Sequence, residues 1–193
     1  MNRSFLAVGV AAAVLTASAG AALAQVPADP APRIAAQAEA MKKLSMMDGE
    51  WRGSAWTLTP VGRREVTQTE RIGPLLGGAI KVLEGHGYNP DGSTGFNAFG
   101  VISFEPSTGA YSLHSYAMGQ AGDFKLTPAA DGYVWEIPAG PMTIRYTAVI
   151  KNGAWREIGE RVVPGQAPMQ FFEMNLKRLG DSAWPAAGAI PPK

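Results

Sequence analysis

Gly49-Glu50-Trp51-Arg52-Gly53 opens about 130 residues in which apolar and polar side chains alternate and turn signals recur roughly every ten residues, a pattern that leaves few alternatives to an all-β fold. The turns dictate how successive strands meet. Asn89-Pro90-Asp91-Gly92 has Pro at the second position and Gly at the fourth, as a type I turn prefers, and Glu105-Pro106-Ser107-Thr108-Gly109 repeats the arrangement. Asn152-Gly153 is the two-residue type I′ hairpin signal, and Asp131-Gly132 and Pro164-Gly165 punctuate the remainder. Links this short make neighbours in sequence antiparallel neighbours in space.

Ten strands are expected, near 50–58, 63–72, 78–87, 96–105, 109–118, 122–127, 132–138, 141–151, 154–163 and 168–179. An open sheet of ten strands would expose two unpaired edges, so the expected fold is a closed antiparallel up-and-down barrel. A β-sandwich is the alternative, disfavoured by the meander of short links. The one helical pattern, about Arg33 to Met46, begins near Asp29 or Pro32, stops at Asp48-Gly49 and presents Ile34, Ala38, Met41 and Ser45 on one face with Leu44 beside them. It is expected to pack across one end of the sheet.

The ends of the chain differ in composition. Arg3, an apolar run from Phe5 to Val14 and Ala22-Leu23-Ala24 before Gln25 form a secretory signal with a cleavage site, so residues 1–24 are expected to be removed and the mature protein to be periplasmic or secreted, with no membrane anchor. Residues 25–47 form an arm and the helix, 48–180 the barrel, and 181–193 a Pro/Ala-rich tail read as an extended arm. Without cysteine there is no disulfide framework, and stability rests on the core. Setting Arg3 aside leaves 16 basic residues of the 17 against 16 acidic ones, so no net field favours nucleic acid or an anionic membrane.

Alternation then sorts side chains by face. Phe172, Met174 and Leu176 are expected inside the last strand, with Phe171, Glu173 and Asn175 outside. Tyr146 in the eighth strand and Trp135 in the seventh are expected interior aromatics. In the third strand Ile80 and Val82 set the phase, which puts Glu84 and His86 inward. A buried carboxylate needs a partner, and Arg161 is a candidate, although two phases of the ninth strand fit equally. Glu157 and Glu173 are expected on the outer surface, paired with Arg145, Arg156 or Lys177.

Gly49-x-Trp51 at the start of the first strand and Arg178 at the end of the last resemble the calycin signature, which implies a lipocalin-like barrel whose terminal cation packs over the Trp and helps close one end. The chain also resembles the exported DUF1579 family, on Gln68-Thr69-Glu70-Arg71, Leu76-Gly77-Gly78, Trp135-Glu136-Ile137-Pro138-Ala139-Gly140, Gly159-Glu160-Arg161 and Trp184-Pro185-Ala186-Ala187-Gly188. That resemblance implies the fold and no activity. Nitrobindin-like proteins share the GxWxG opening and bind haem through a late histidine; here the late strands contain none, and His86 and His114 lie mid-chain, so neither a cofactor nor a metal is expected.

No GxSxG, HExxH, CxxC or phosphate loop occurs, and Ser115 beside His114 points to the opposite face, so no catalytic residue is assigned. Three functional classes stay open. The first is a binding protein for a small apolar or amphipathic molecule, walled by Trp135, Tyr146, Phe172 and Met174 and contacted by Glu84, His86, Tyr116 and Arg161. The second is a barrel enzyme with Glu84 as acid or base. The third is a filled barrel acting through its surface or its Trp184 tail.

Overall fold

The structure, a computed structural model, describes residues 29–188 and Ile190. The leader, its cleavage site after Ala24 and the first residues of the arm lie outside the described residues. Helix α1 (Ala31–Met41) runs into a 3-10 helix (Lys42–Met47), and ten strands follow: β1 (Gly49–Thr59), β2 (Gly62–Leu75), β3 (Ile80–Tyr88), β4 (Thr94–Glu105), β5 (Ala110–Ala117), β6 (Gln120–Ala129), β7 (Gly132–Ala139), β8 (Met142–Lys151), β9 (Ala154–Val162) and β10 (Met169–Gly180). Each pairs antiparallel with its neighbour, and β1 pairs with β10, so the sheet closes into the up-and-down barrel the turn spacing predicts.

The hairpins form for the reasons their residues give. Asn152 and Gly153 take φ of 53° and 70°, the left-handed pair a type I′ turn requires. Gly92 N–H donates to the Asn89 carbonyl at 2.9 Å, closing the turn that Pro90 shapes.

One end of the barrel is plugged. Leu44 and Met47 of the 3-10 helix and Met41 of α1 pack with Trp51, Ile72, Ile102, Ile150, Trp155 and Leu176 in the main apolar cluster. Trp51 Nε1 donates to the Met47 carbonyl at 2.8 Å, and its ring meets Trp155 edge-on at 5.5 Å. Tyr111 Oη donates to the Ala40 carbonyl at 2.9 Å, fixing α1 against β5. The helix thus packs across one end as expected, with Met41 and Leu44 of the expected face buried and Ala38 half-buried; Ile34 is 47% exposed and Ser45 is exposed, whereas Ala40 and Met47 are buried too, because the helix tightens after Met41 and carries the apolar stripe into the plug.

Arg178 stands opposite Trp51 in the β1–β10 ladder. Its guanidinium does not lie over the indole; it donates to the Asp48 carbonyl at 3.2 Å and pairs with Asp181. The cation helps close the end by tying the chain that enters β1 to the chain that leaves β10. The tail also departs from an extended arm. Arg71 lies over the Trp184 ring at 4.5 Å, and a Cβ on Gly73 would come within 2.0 Å of the Trp184 carbonyl oxygen, so the segment docks on the outer wall of β2.

Candidate functional site

Above the plug the barrel is hollow. A cavity of about 570 Å³ opens at the far end, within the roughly 300–1,000 Å³ of small-molecule pockets. Trp135, Tyr146, Phe172 and Met174 line it, as alternation places them. Trp135 and Tyr146 are cross-strand partners, and their rings stack at 4.3 Å with 7° between planes, while Phe172 meets Tyr146 edge-on at 5.7 Å. Phe171 also lines the cavity, against expectation, because a register shift between Gln170 and Phe172 breaks strict alternation in β10.

The polar residues assigned to the interior lie elsewhere. Glu84 and His86 stand on the outer wall, where Arg71 pairs with Glu84 at 2.5 Å and His86 lies 3.6 Å from the same carboxylate. Tyr116 is 51% exposed and packs edge-on against His114, which bonds Asp123 at 2.6 Å. The phase of β3 is inverted: Leu83 and Gly85 face the cavity, and Val82, though only 3% exposed, points outward. Its burial comes from outside, since its ladder partner Gly73 lies under the docked Trp184 and α1 rests on β3 and β4. Arg161 shares the phase of Trp155 and Glu157 but stays at the rim, over the Phe171 ring at 5.1 Å, and is no partner of Glu84.

The polar centre of the cavity is instead Gln68 and Glu70 from β2, Tyr133 and Trp135 from β7, and Glu157 from β9. Glu157, expected on the surface, is 7% exposed; Tyr133 Oη donates to it at 2.6 Å and Trp135 Nε1 at 3.2 Å. Glu173 does lie outside, paired with Arg156 at 2.9 Å, and that guanidinium with Asn175 holds its carboxyl down to about 2. Glu70 accepts from Gln68 Nε2 at 2.7 Å and lies against Gly85, where a Cβ would come within 2.7 Å of its carboxylate. Glu70 keeps accessible surface, but it is the surface of the cavity.

Burial dominates the electrostatics. Desolvation pushes the Glu70 carboxyl up to about 8, against the hydrogen bond from Gln68, and the nearby Glu157 and Glu84 charges add to the rise. Glu157 is raised as well, again by desolvation, and the Tyr133 and Trp135 donors act against it. Desolvation and the Glu157 charge push the Tyr146 phenol up to about 12. At neutral pH, therefore, Glu70 is protonated, beside a second carboxyl that is better supplied with donors. Among the described residues neither Glu70 nor Glu157 forms a salt bridge, and no three His, Asp or Glu side chains gather as metal ligands would. Both histidines stand on the outer face, so neither imidazole reaches a molecule inside.

A signal for the missed pair existed. Val66, Gln68, Glu70 and Ile72 share one parity in β2, apolar at both ends and polar in the middle, which is how a strand reads when it crosses a polar spot in an apolar interior. Gln68 and Glu70 also fall within one of the motifs that carry the DUF1579 resemblance.

Fold and cavity together define a calycin-like β-barrel. Two solved structures share the architecture. Rv2717c from M. tuberculosis superposes with a TM-score of 0.56 at 14% identity, over 73% of this chain and 98% of its own. The S-type phycobiliprotein lyase CPES from Guillardia theta superposes with a TM-score of 0.50 at 8% identity, over 77% and 98%. Likeness at such identities concerns the fold alone. No family model matches the chain, and no curated protein does either.

Proposed function

We propose that this chain is an exported binding protein of the DUF1579 family that holds a small apolar or amphipathic molecule inside its barrel. The observation that carries the reading is a cavity of about 570 Å³ whose aromatic wall surrounds a few convergent polar groups. A barrel that served only as a scaffold would gain by filling that volume, since interiors pack densely and each lost contact costs stability. Export rests on the N-terminal sequence, and family membership on the strand motifs.

Native mass spectrometry of the mature protein, purified from the compartment to which it is exported, tests the reading. A stoichiometric adduct that dissociates on denaturation is the expected result, and it should be lost when Ala98, on the cavity wall, is replaced by Trp. A bare protein that also fails to take up any hydrophobic probe would overturn it.

A second reading has one observation in its favour. Two interior carboxyls in unequal environments are the arrangement by which enzymes separate an acid from a base, and Glu70 with Glu157 supplies it where Glu84, on the outer wall, does not. Turnover of an enolisable ketone that disappears in Glu70→Gln would favour this reading over simple binding.

A further inference from the structure

We propose that the molecule in the barrel is an amphipathic cation, a protonated amine in the simplest case, with its charged end seated between Glu70 and Glu157 and its hydrocarbon part along the aromatic wall. The inference rests on the binding reading above and adds the chemical class of the ligand.

Charge distribution is the first ground. Two carboxyls stand deep in the barrel, and among the described residues no cation is paired with either, Arg64 being the one cation on the cavity lining and standing at its mouth. Lys81, which also points inward, is spent on Asp48 in the plug, Arg161 lies on Phe171 at the rim, and Arg64 at the mouth donates to Asn89 at 2.8 Å. A buried carboxyl with no cation beside it holds its proton, and a bound positive charge is the partner that would let it ionise.

Hydrogen-bonding capacity is the second. A carboxylate has about four acceptor sites; Glu157 receives two donors and Glu70 one, so both keep acceptors for an ammonium, which offers three. Trp155 supplies an independent sign that the site is incomplete. Its ring is 2% exposed and lines the cavity, and its Nε1 is the one buried side-chain donor among the described residues without a partner. The walls suit the same charge, because the faces of Trp135, Tyr146 and Phe172 attract cations.

Room is the third. Gly85, opposite Glu70 in the β2–β3 ladder, lets the carboxylate lie against the wall, and a side chain there would push it into the space a head group needs. A carboxylate ligand would add a third carboxyl to two that have no cation beside them, and a neutral alcohol would leave the second carboxyl unmatched. An incoming ammonium would instead drive the Glu70 proton out to solvent. Glu157 from β9, Tyr133 from β7 and, through the wall, Glu84 from β3 are the other titratable groups near Glu70.

Calorimetric titration of the mature protein with decylamine, decanol and decanoate, each below its aggregation concentration, tests the inference. Decylamine should bind about tenfold tighter than decanol or better, a difference of about 1.4 kcal/mol, with decanoate weakest. Its advantage should vanish in Glu70→Gln and Glu157→Gln, while decanol binds unchanged. Should either variant fail to fold, the wild type still gives the answer: in buffers of different ionisation heat at pH 7, decylamine should release a proton and decanol none. Decanol or decanoate binding as tightly as decylamine would overturn the cationic head group and leave the cavity reading intact. Saturable binding of none of the three would overturn both.

Discussion

Replacing Glu70 with Gln should stabilise the empty barrel, and only above the acidic range. In the unfolded chain the carboxyl ionises near 4.5, and in the barrel near 8. The folded state therefore binds more protons between those values, and the sign follows: stability is fully present below about 4.5 and falls as pH rises through about 8. At pH 8 the penalty amounts to ~4 kcal/mol and at pH 5 to less than ~1 kcal/mol, since each factor of ten in proton affinity is about 1.36 kcal/mol. Glutamine keeps the shape and can still accept from Gln68, so it removes the penalty and little else. For a domain of this size that corresponds to a melting temperature on the order of 10 °C higher for the variant at pH 8, and nearly equal values at pH 5. Glu157 adds a slope of the same sign to both proteins, and their difference reports Glu70 together with its coupling to Glu157. Thermal denaturation followed by circular dichroism across this range is the assay. A variant no more stable than wild type at pH 8 would refute the claim that Glu70 is held protonated inside the cavity.

The remaining expectations concern the plug, the mouth and the outer wall. Trp51→Ala removes a fully buried indole and its bond to Met47, and should cost about 3–5 kcal/mol in urea denaturation. Ala98→Trp should abolish decylamine binding while its unfolding free energy stays within about 0.5 kcal/mol of wild type, as substitutions away from a packed core do. Glu84→Gln breaks a partly exposed ion pair with Arg71, so it should change stability by no more than about 1 kcal/mol and leave ligand affinity unaltered.

The barrel was legible in the sequence because its determinants are local. Pro90, Gly92, Asn152 and Gly153 fix turn geometry whatever surrounds them, and ten strands joined by such turns have one economical way to cover their edges. Facing was legible where only one side of a strand is covered by protein, which is why Trp135, Tyr146, Phe172 and Met174 fell inside. It failed in β3, where alternation distinguishes two faces without saying which is interior. Val82 is buried from outside by elements the strand's own sequence does not contain, so its apolar character pointed Glu84 and His86 the wrong way. Phe171 was missed because a register shift in β10 brings adjacent residues to the same cavity. Glu157 was misjudged for a different reason. A carboxylate on a charged strand usually faces water, and only Tyr133 and Trp135, distant in sequence, make its burial tolerable.

Whether the barrel is hollow and holds a hydrophobic chain along its aromatic wall is decided by anomalous diffraction from crystals grown with 1-bromodecane. A bromine peak inside the barrel, bounded by Trp135, Tyr146 and Phe172, is the predicted result. An interior closed by those same side chains, with bromine found only on the outer surface, would contradict it.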